Sequence, residues 1–248
     1  MMLDGFNYPD VLIKIGKKEH LIELLMGNVY FKQADYFRKY EITKGFDSRE
    51  GKVRVNPKDL SWIDDPIVKL VMSANPEEVN ISSMFSGKTP IFCCSEIDSS
   101  VLKSVGSNEY CLSDAFVDEM KQWGSVLIVM SKDELCSKVE KRCIQLGIKP
   151  LMSRIKYDQK DIVANERFQT LTLKINRYQA FFHKTKQYSG QNEFRIVLGN
   201  ESIIGHDSCH YILNVGKLEL AMIFDLDNLS DLVFKPINNM PQKLDDSV

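Results

Sequence analysis

Gln191 and Glu193 stand two residues apart in Tyr188-Ser189-Gly190-Gln191-Asn192-Glu193, at the mouth of the apolar run Phe194 to Leu198. A strand turns successive side chains to opposite faces, so the amide and the carboxylate are expected to project together while Asn192 and Phe194 face the other way. A carboxylate and an amide side by side make a polar grip. The competing expectation is an exposed polar pair on the outer face of a half-buried strand, with Phe194, Ile196 and Leu198 packed inward.

Most other chemistry is set aside by spacing. The sequence has no Walker-type glycine loop, no Gly-x-Gly-x-x-Gly, no Gly-x-Ser-x-Gly elbow and no His-Glu-x-x-His helix. His206 and His210, near Asp207 and Cys209, would share a helix face and bind a metal, but Gly205, Asp207 and Ser208 read as a loop. His20 and His183 stand alone. The six cysteines lack metal-ligand pairing and the density of a disulfide scaffold, and read as reduced, mostly buried thiols. Asp64-Asp65-Pro66 and Asp225-Leu226-Asp227 lack the glycine turn and distal glutamate of a calcium loop. Asp47-Ser48-Arg49-Glu50-Gly51 is a polar loop, either a surface turn or a segment reaching a substrate.

A chain of 248 residues, 44% hydrophobic and 27% charged, can bury a full core. No apolar run approaches the roughly 20 residues of a membrane span, and the start lacks a basic region followed by an apolar core, so a cytoplasmic protein with no membrane partner is expected. The net charge of −2 hides a segregation. Residues 138–186 carry twelve Lys/Arg against four Asp/Glu, and residues 201–248 three against eight. A basic segment attracts phosphates or acidic partners, and Arg177, Tyr178, Phe181, Phe182, His183, Lys184, Lys186 and Tyr188 interleave cations with aromatics as nucleic-acid surfaces do. A solvated helix face over core aromatics gives the same pattern.

Strands and helices alternate, with no repeat or low-complexity tract. Strands are expected at 11–15, 28–31, 91–95, 126–130, 155–157, 193–198, 211–215 and 218–223, with an edge strand at 232–234. Helices are expected at 17–26, ending at Gly27, at 35–40, from Ser113 to Trp123, at 132–146 behind Ser131, and over 168–182. Ser131 with Glu134 three residues on predicts a capping box.

Tyr188-Ser189-Gly190-Gln191-Asn192-Glu193, leading into an apolar strand, resembles the catalytic loop of mono-ADP-ribosyltransferases of the glutamine-x-glutamate kind, such as the clostridial Rho-modifying exoenzymes. The opening strand, amphipathic helix ending in Gly27 and strand Asn28-Val29-Tyr30-Phe31 are similar to that superfamily's layout. The chain is also similar to uncharacterised bacterial toxin and phage-defence proteins, which pair an early Tyr-Phe-x-x-x-x-Tyr-Phe segment, here Tyr30 to Phe37, with a late Gln-x-Glu-Phe-Arg strand. The likeness covers roughly the first forty residues, a middle strand and the region near Glu193.

The resemblance implies an α+β fold with an ADP-ribosyltransferase-like split β-sheet core and flanking helices. It would form one domain over residues 1–248 with a frayed acidic tail from about 236. It implies NAD as co-substrate, with Glu193 stabilising the oxocarbenium character of the ribose and Gln191 orienting the acceptor. Lys14 falls where the superfamily places Arg or His to hold the dinucleotide, and a lysine lacks the bidentate fork, so Arg38 or Arg54 are alternative phosphate contacts. Tyr30 and Tyr36 would stack on nicotinamide, and Ser95 would supply the hydroxyl of the middle strand. The acceptor would be a macromolecule, RNA or DNA favoured over protein by the basic segment, or water in an NAD hydrolase; a toxin would imply an antitoxin. The alternatives are a non-catalytic nucleic-acid- or protein-binding module on the same fold, and a metal-dependent nuclease recruiting Asp47, Glu50 and Glu193 around magnesium.

Overall fold

The computed structural model describes residues 10–37, 39, 52–55, 69, 73–74, 79–82, 86–107, 109–158, 178–199, 210–227 and 232–235. Arg38, the loop at 45–51, Asp64 and Asp65, most of the helix expected over 168–182, His206 with Cys209, and the acidic tail lie outside them. The chain begins with β1 (Val11–Gly16), α1 (Lys18–Leu25) and β2 (Asn28–Gln33). Next come β3 (Lys52–Val55) and β4 (Val79–Ser82), paired with each other, then β5 (Pro90–Glu96) and the paired β6 (Leu102–Gly106) and β7 (Glu109–Leu112). The middle holds α2 (Asp114–Lys121), β8 (Val126–Ser131), α3 (Lys132–Gln145), β9 (Pro150–Arg154) and β10 (Lys156–Asp158). The last part holds β11 (His183–Thr185), β12 (Glu193–Leu198), β13 (His210–Asn214) and β14 (Ala221–Asp225).

The architecture is mixed α+β, with a mostly antiparallel sheet and few helices. Eight strands form the main sheet: β13, β2, β5, β1, β8 and β14 in order, with β12 on β5 and β9 on β12. No described helix is long and apolar enough to cross a membrane.

Strand β8 reads Val-Leu-Ile-Val-Met without alternation because both its faces are covered. Val126, Ile128 and Met130 join Leu21 and Leu24 of α1 and Leu135, Val139 and Cys143 of α3 in one core cluster. Leu127 and Val129 turn the other way, to Phe116 and Met120 of α2. Side chains of α2 and α3 at these positions recur every three or four residues, the spacing of one helix face.

Strand β5 organises the rest. Strand β12 runs along one of its edges, from Glu193 opposite Ser95 to Val197 opposite Ile91. The other edge is divided: β2 takes its start, with Lys32 opposite Ile91, and β1 takes its end, with Ile13 opposite Ser95. Between them, Phe92, Cys93 and Cys94 have no described strand along this edge, and β1 and β2 part to pair with β8 and β13.

Ser131 caps α3 as its side chain suggests, accepting from Glu134 N at 3.3 Å. The return half of the capping box does not form. Glu134 instead accepts from the backbone N–H groups of Glu219 and Leu220 at 2.8 and 2.7 Å, so the box residue fastens the approach to β14 onto α3. At the described end of the helix expected over 168–182, Gln179–Phe182 is a single 3-10 turn that runs directly into β11. The aromatics Tyr178, Phe181 and Phe182 are buried there, so apolar spacing read as helix reflects packing against β5 and β12.

Gly27 ends α1 with φ 91°, and a Cβ there would lie 2.1 Å from the Gly216 carbonyl oxygen. Both the positive φ and the backbone clash exclude a side chain. Gly27→Ala is expected to lower the unfolding free energy by more than about 2 kcal/mol, read as a lower urea midpoint at unchanged slope.

Candidate functional site

The first residue of β12 is its only carboxylate, and it is buried. Glu193 is 6% exposed, Arg195 on the same strand face 1%, and Lys184 of β11 5%. Arg195 Nε donates to Glu193 Oε1 at 2.5 Å, and its Nη1 donates to the Phe181 carbonyl. Lys184 Nζ forms an ion pair with Glu193 Oε2 at 2.6 Å and donates to Gln191 Oε1 at 3.1 Å. Both carboxylate oxygens are therefore held by cations, Oε1 by Arg195 and Oε2 by Lys184. Burial alone would push the Glu193 carboxyl up. Arg195 and Lys184 outweigh it and hold the group well below the usual carboxylate range, ionised at neutral pH.

The backbone around Glu193 is fixed on both sides. Its N–H donates to the Tyr157 hydroxyl at 2.8 Å, and its carbonyl accepts from Ile155 N at 2.9 Å. Asn192 adopts φ 42°, a left-handed conformation that asparagine tolerates better than most residues. Its Nδ2 donates to the Glu96 carbonyl at 2.5 Å, and its own carbonyl accepts from Glu96 N at 2.8 Å. Glu96 is buried behind this turn with Lys132 at 2.8 Å and Arg154 at 2.5 Å.

Two hollows lie along β5, and the smaller adjoins this turn. The smaller, about 210 Å³, is lined by Glu193, Gln191, Arg195, Lys184, Ser95 and Cys93 among others. The larger, about 690 Å³, is lined by Tyr30, Lys32, Tyr36, Phe92 and residues of α1. Lys14, Ile15, Phe37 and Cys93 line both. The hollows therefore meet at the division between β1 and β2 over the middle of β5. Lys14 reaches across it: its Nζ donates to the Cys93 carbonyl at 2.5 Å and sits 4.7 Å from the centre of the Phe92 ring. Burial, and next the charge of Glu193, push the Cys93 thiol up, so it is neutral at physiological pH.

The expected pair is thus brought together, but by other means than strand alternation. Gln191 ends a 3-10 segment, Lys186–Gln191, and β12 starts only at Glu193. Lys184 joins the two side chains, and the expectation of an exposed pair gives way to a buried carboxylate. Phe194, Ile196 and Leu198 pack inward as read. Ser95 lines the smaller hollow, its hydroxyl 3.9 Å from the Met120 sulfur, while Tyr30 and Tyr36 line the larger. Arg54 lies in β3, whose side chains are not described. Arg195 and Tyr157 were not expected at the site, and Lys184, read as part of a surface of interleaved cations and aromatics, is instead buried with Tyr178, Phe181 and Phe182. Arg195 had a signal, its spacing of two from Glu193 inside an apolar run; the other two converge only in three dimensions. Among the described residues no group of three His, Cys, Asp or Glu is placed to hold a metal ion. No family model, curated protein or solved structure matches this chain.

Glu193→Gln leaves two buried cations facing a neutral amide, and is expected to cost about 3–5 kcal/mol of stability at pH 7. The folded pKa of Glu193 is depressed, so its contribution is complete above the unfolded value of about 4.3 and is lost as pH falls through the folded value. Urea titrations should therefore show the gap between wild type and Glu193→Gln closing as pH drops below about 4.

Proposed function

We propose that this chain is an NAD-dependent ADP-ribosyltransferase, acting as a bacterial toxin or phage-defence effector that moves ADP-ribose onto a macromolecule. One observation carries the reading: a buried, ionised carboxylate held by Arg195 and Lys184 lines a hollow together with an amide two residues earlier. Breaking the bond between ribose C1′ and the nicotinamide nitrogen sends the electron pair to nicotinamide and leaves oxocarbenium character on the ribose. The Glu193 carboxylate meets that charge and accepts from a ribose hydroxyl. Arg195 and Lys184 dull its long-range field, so its effect is short-ranged and depends on contact. Gln191 orients the acceptor, whose nucleophile bonds to C1′ and loses its proton. Lys14 and Ser95 line the same cleft, with Tyr30 and Tyr36 as aromatic walls of the adjoining hollow, large enough for the remainder of a dinucleotide. The division of the β5 edge supports the ADP-ribosyltransferase-like split core that the resemblance implies. The basic segment favours RNA or DNA as acceptor.

The tight hold of two cations on Glu193 favours a second reading, a non-catalytic binding module in which the trio is a structural strut.

Incubating the purified protein with NAD labelled in the adenylate half, plus cell extract, should label a macromolecular fraction, RNA or DNA ahead of protein. Glu193→Gln, verified as folded, should cut nicotinamide release by about 10²–10³-fold. Gln191→Ala, at a half-buried position, should reduce labelling more than nicotinamide release. No NAD turnover under any acceptor would leave the binding module.

A further inference from the structure

The larger hollow has a cation where the sequence did not point to one. Tyr30 and Lys32 share a face of β2, two residues apart, and Tyr36 follows in the helical turn after the strand. Lys32 Nζ lies 3.9 Å from the centre of the Tyr36 ring and 5.0 Å from that of Tyr30. The far side of the Tyr30 wall is set by His210 of β13, stacked at 4.8 Å and 23°. These side chains hold their places because Lys32 is paired on both sides, opposite His210 on β13 and opposite Ile91 on β5. Lys14, the lysine placed by the resemblance as the dinucleotide grip, is by contrast committed to the Cys93 carbonyl.

We infer that Lys32, framed by Tyr30 and Tyr36, is the anion-binding residue of a cradle for a nucleoside diphosphate in the larger hollow. An ammonium flanked by π faces keeps its N–H donors for a phosphate, and the rings lower the cost of holding the charge in a half-buried wall. Two tyrosines with Phe37 and Phe92 supply flat apolar surface for a base. This hollow shares Lys14, Ile15, Phe37 and Cys93 with the one holding Glu193, so a diphosphate seated at Lys32 projects its distal ribose towards the carboxylate. That last placement rests on the transferase reading; the cradle itself does not.

The test is calorimetric titration of the full chain with ADP and, separately, with adenosine, against wild type, Lys32→Ala, Lys32→Arg and Lys14→Ala. The cradle predicts that Lys32→Ala weakens ADP about tenfold or more while leaving adenosine within about twofold, since only the phosphates meet the ammonium. Lys32→Arg should retain ADP binding, and Lys14→Ala should weaken ADP less than Lys32→Ala. A wild-type protein that ignores ADP, or a Lys32→Ala loss equal for ADP and adenosine, overturns the cradle. Lys32-dependent ADP binding without NAD cleavage would sustain the cradle and remove the transferase. NAD cleavage with ADP binding indifferent to Lys32 would do the reverse.

Discussion

A β-strand has two edges, and β5 divides one of them between two partners. Strand β2 takes its start and β1 its end, so on that edge the three residues between meet no described strand and pair with β12 alone. An unpaired buried carbonyl costs free energy comparable to a lost hydrogen bond. Lys14 answers for Cys93 with its ammonium, a solution that keeps β1 and β2 apart instead of closing them. The cleft follows from this constraint. Both hollows, the aromatic wall on β2 and the floor on β12 are placed by strands that diverge around one gap.

The floor of the cleft is electrostatic. A carboxylate taken out of water is stable only if cations follow it, and Arg195 and Lys184 do, from the same strand and from a short parallel neighbour. The cost of this arrangement is rigidity: β12 is buried along its whole length, and Tyr157, Ile155 and Asn192 fix the backbone where the carboxylate enters. What the arrangement leaves is a fully compensated carboxylate at the wall of a hollow, its charge fixed by two cations. A buried ionised group with a strongly shifted pKa in a cleft is a candidate functional site.

The sequence made part of this legible. Strands β1, β2, β5, β8 and β12 announce themselves by short apolar runs, and Ser113 and Ser131 cap their helices as their types suggest. The pairing of β6 with β7 and the strand β9 leave little trace in the sequence, because their residues are few and mostly half-buried or exposed. Glu134 looked like half of a capping box, but its partners come from 85 and 86 residues away, beyond any local pattern. The site divides along the same line. Gln191 and Glu193 are visible because they are adjacent in sequence, whereas Lys184, Tyr157 and Lys32 gain meaning only when β10, β11 and β2 converge on β5 and β12.

A crystal structure with a non-hydrolysable NAD analogue tests the central claim most directly. The account predicts a ribose hydroxyl within hydrogen-bond distance of the Glu193 carboxylate, with the dinucleotide passing the Cys93 junction into the larger hollow. An analogue bound elsewhere, or one whose ribose stays out of reach of Glu193, would contradict it.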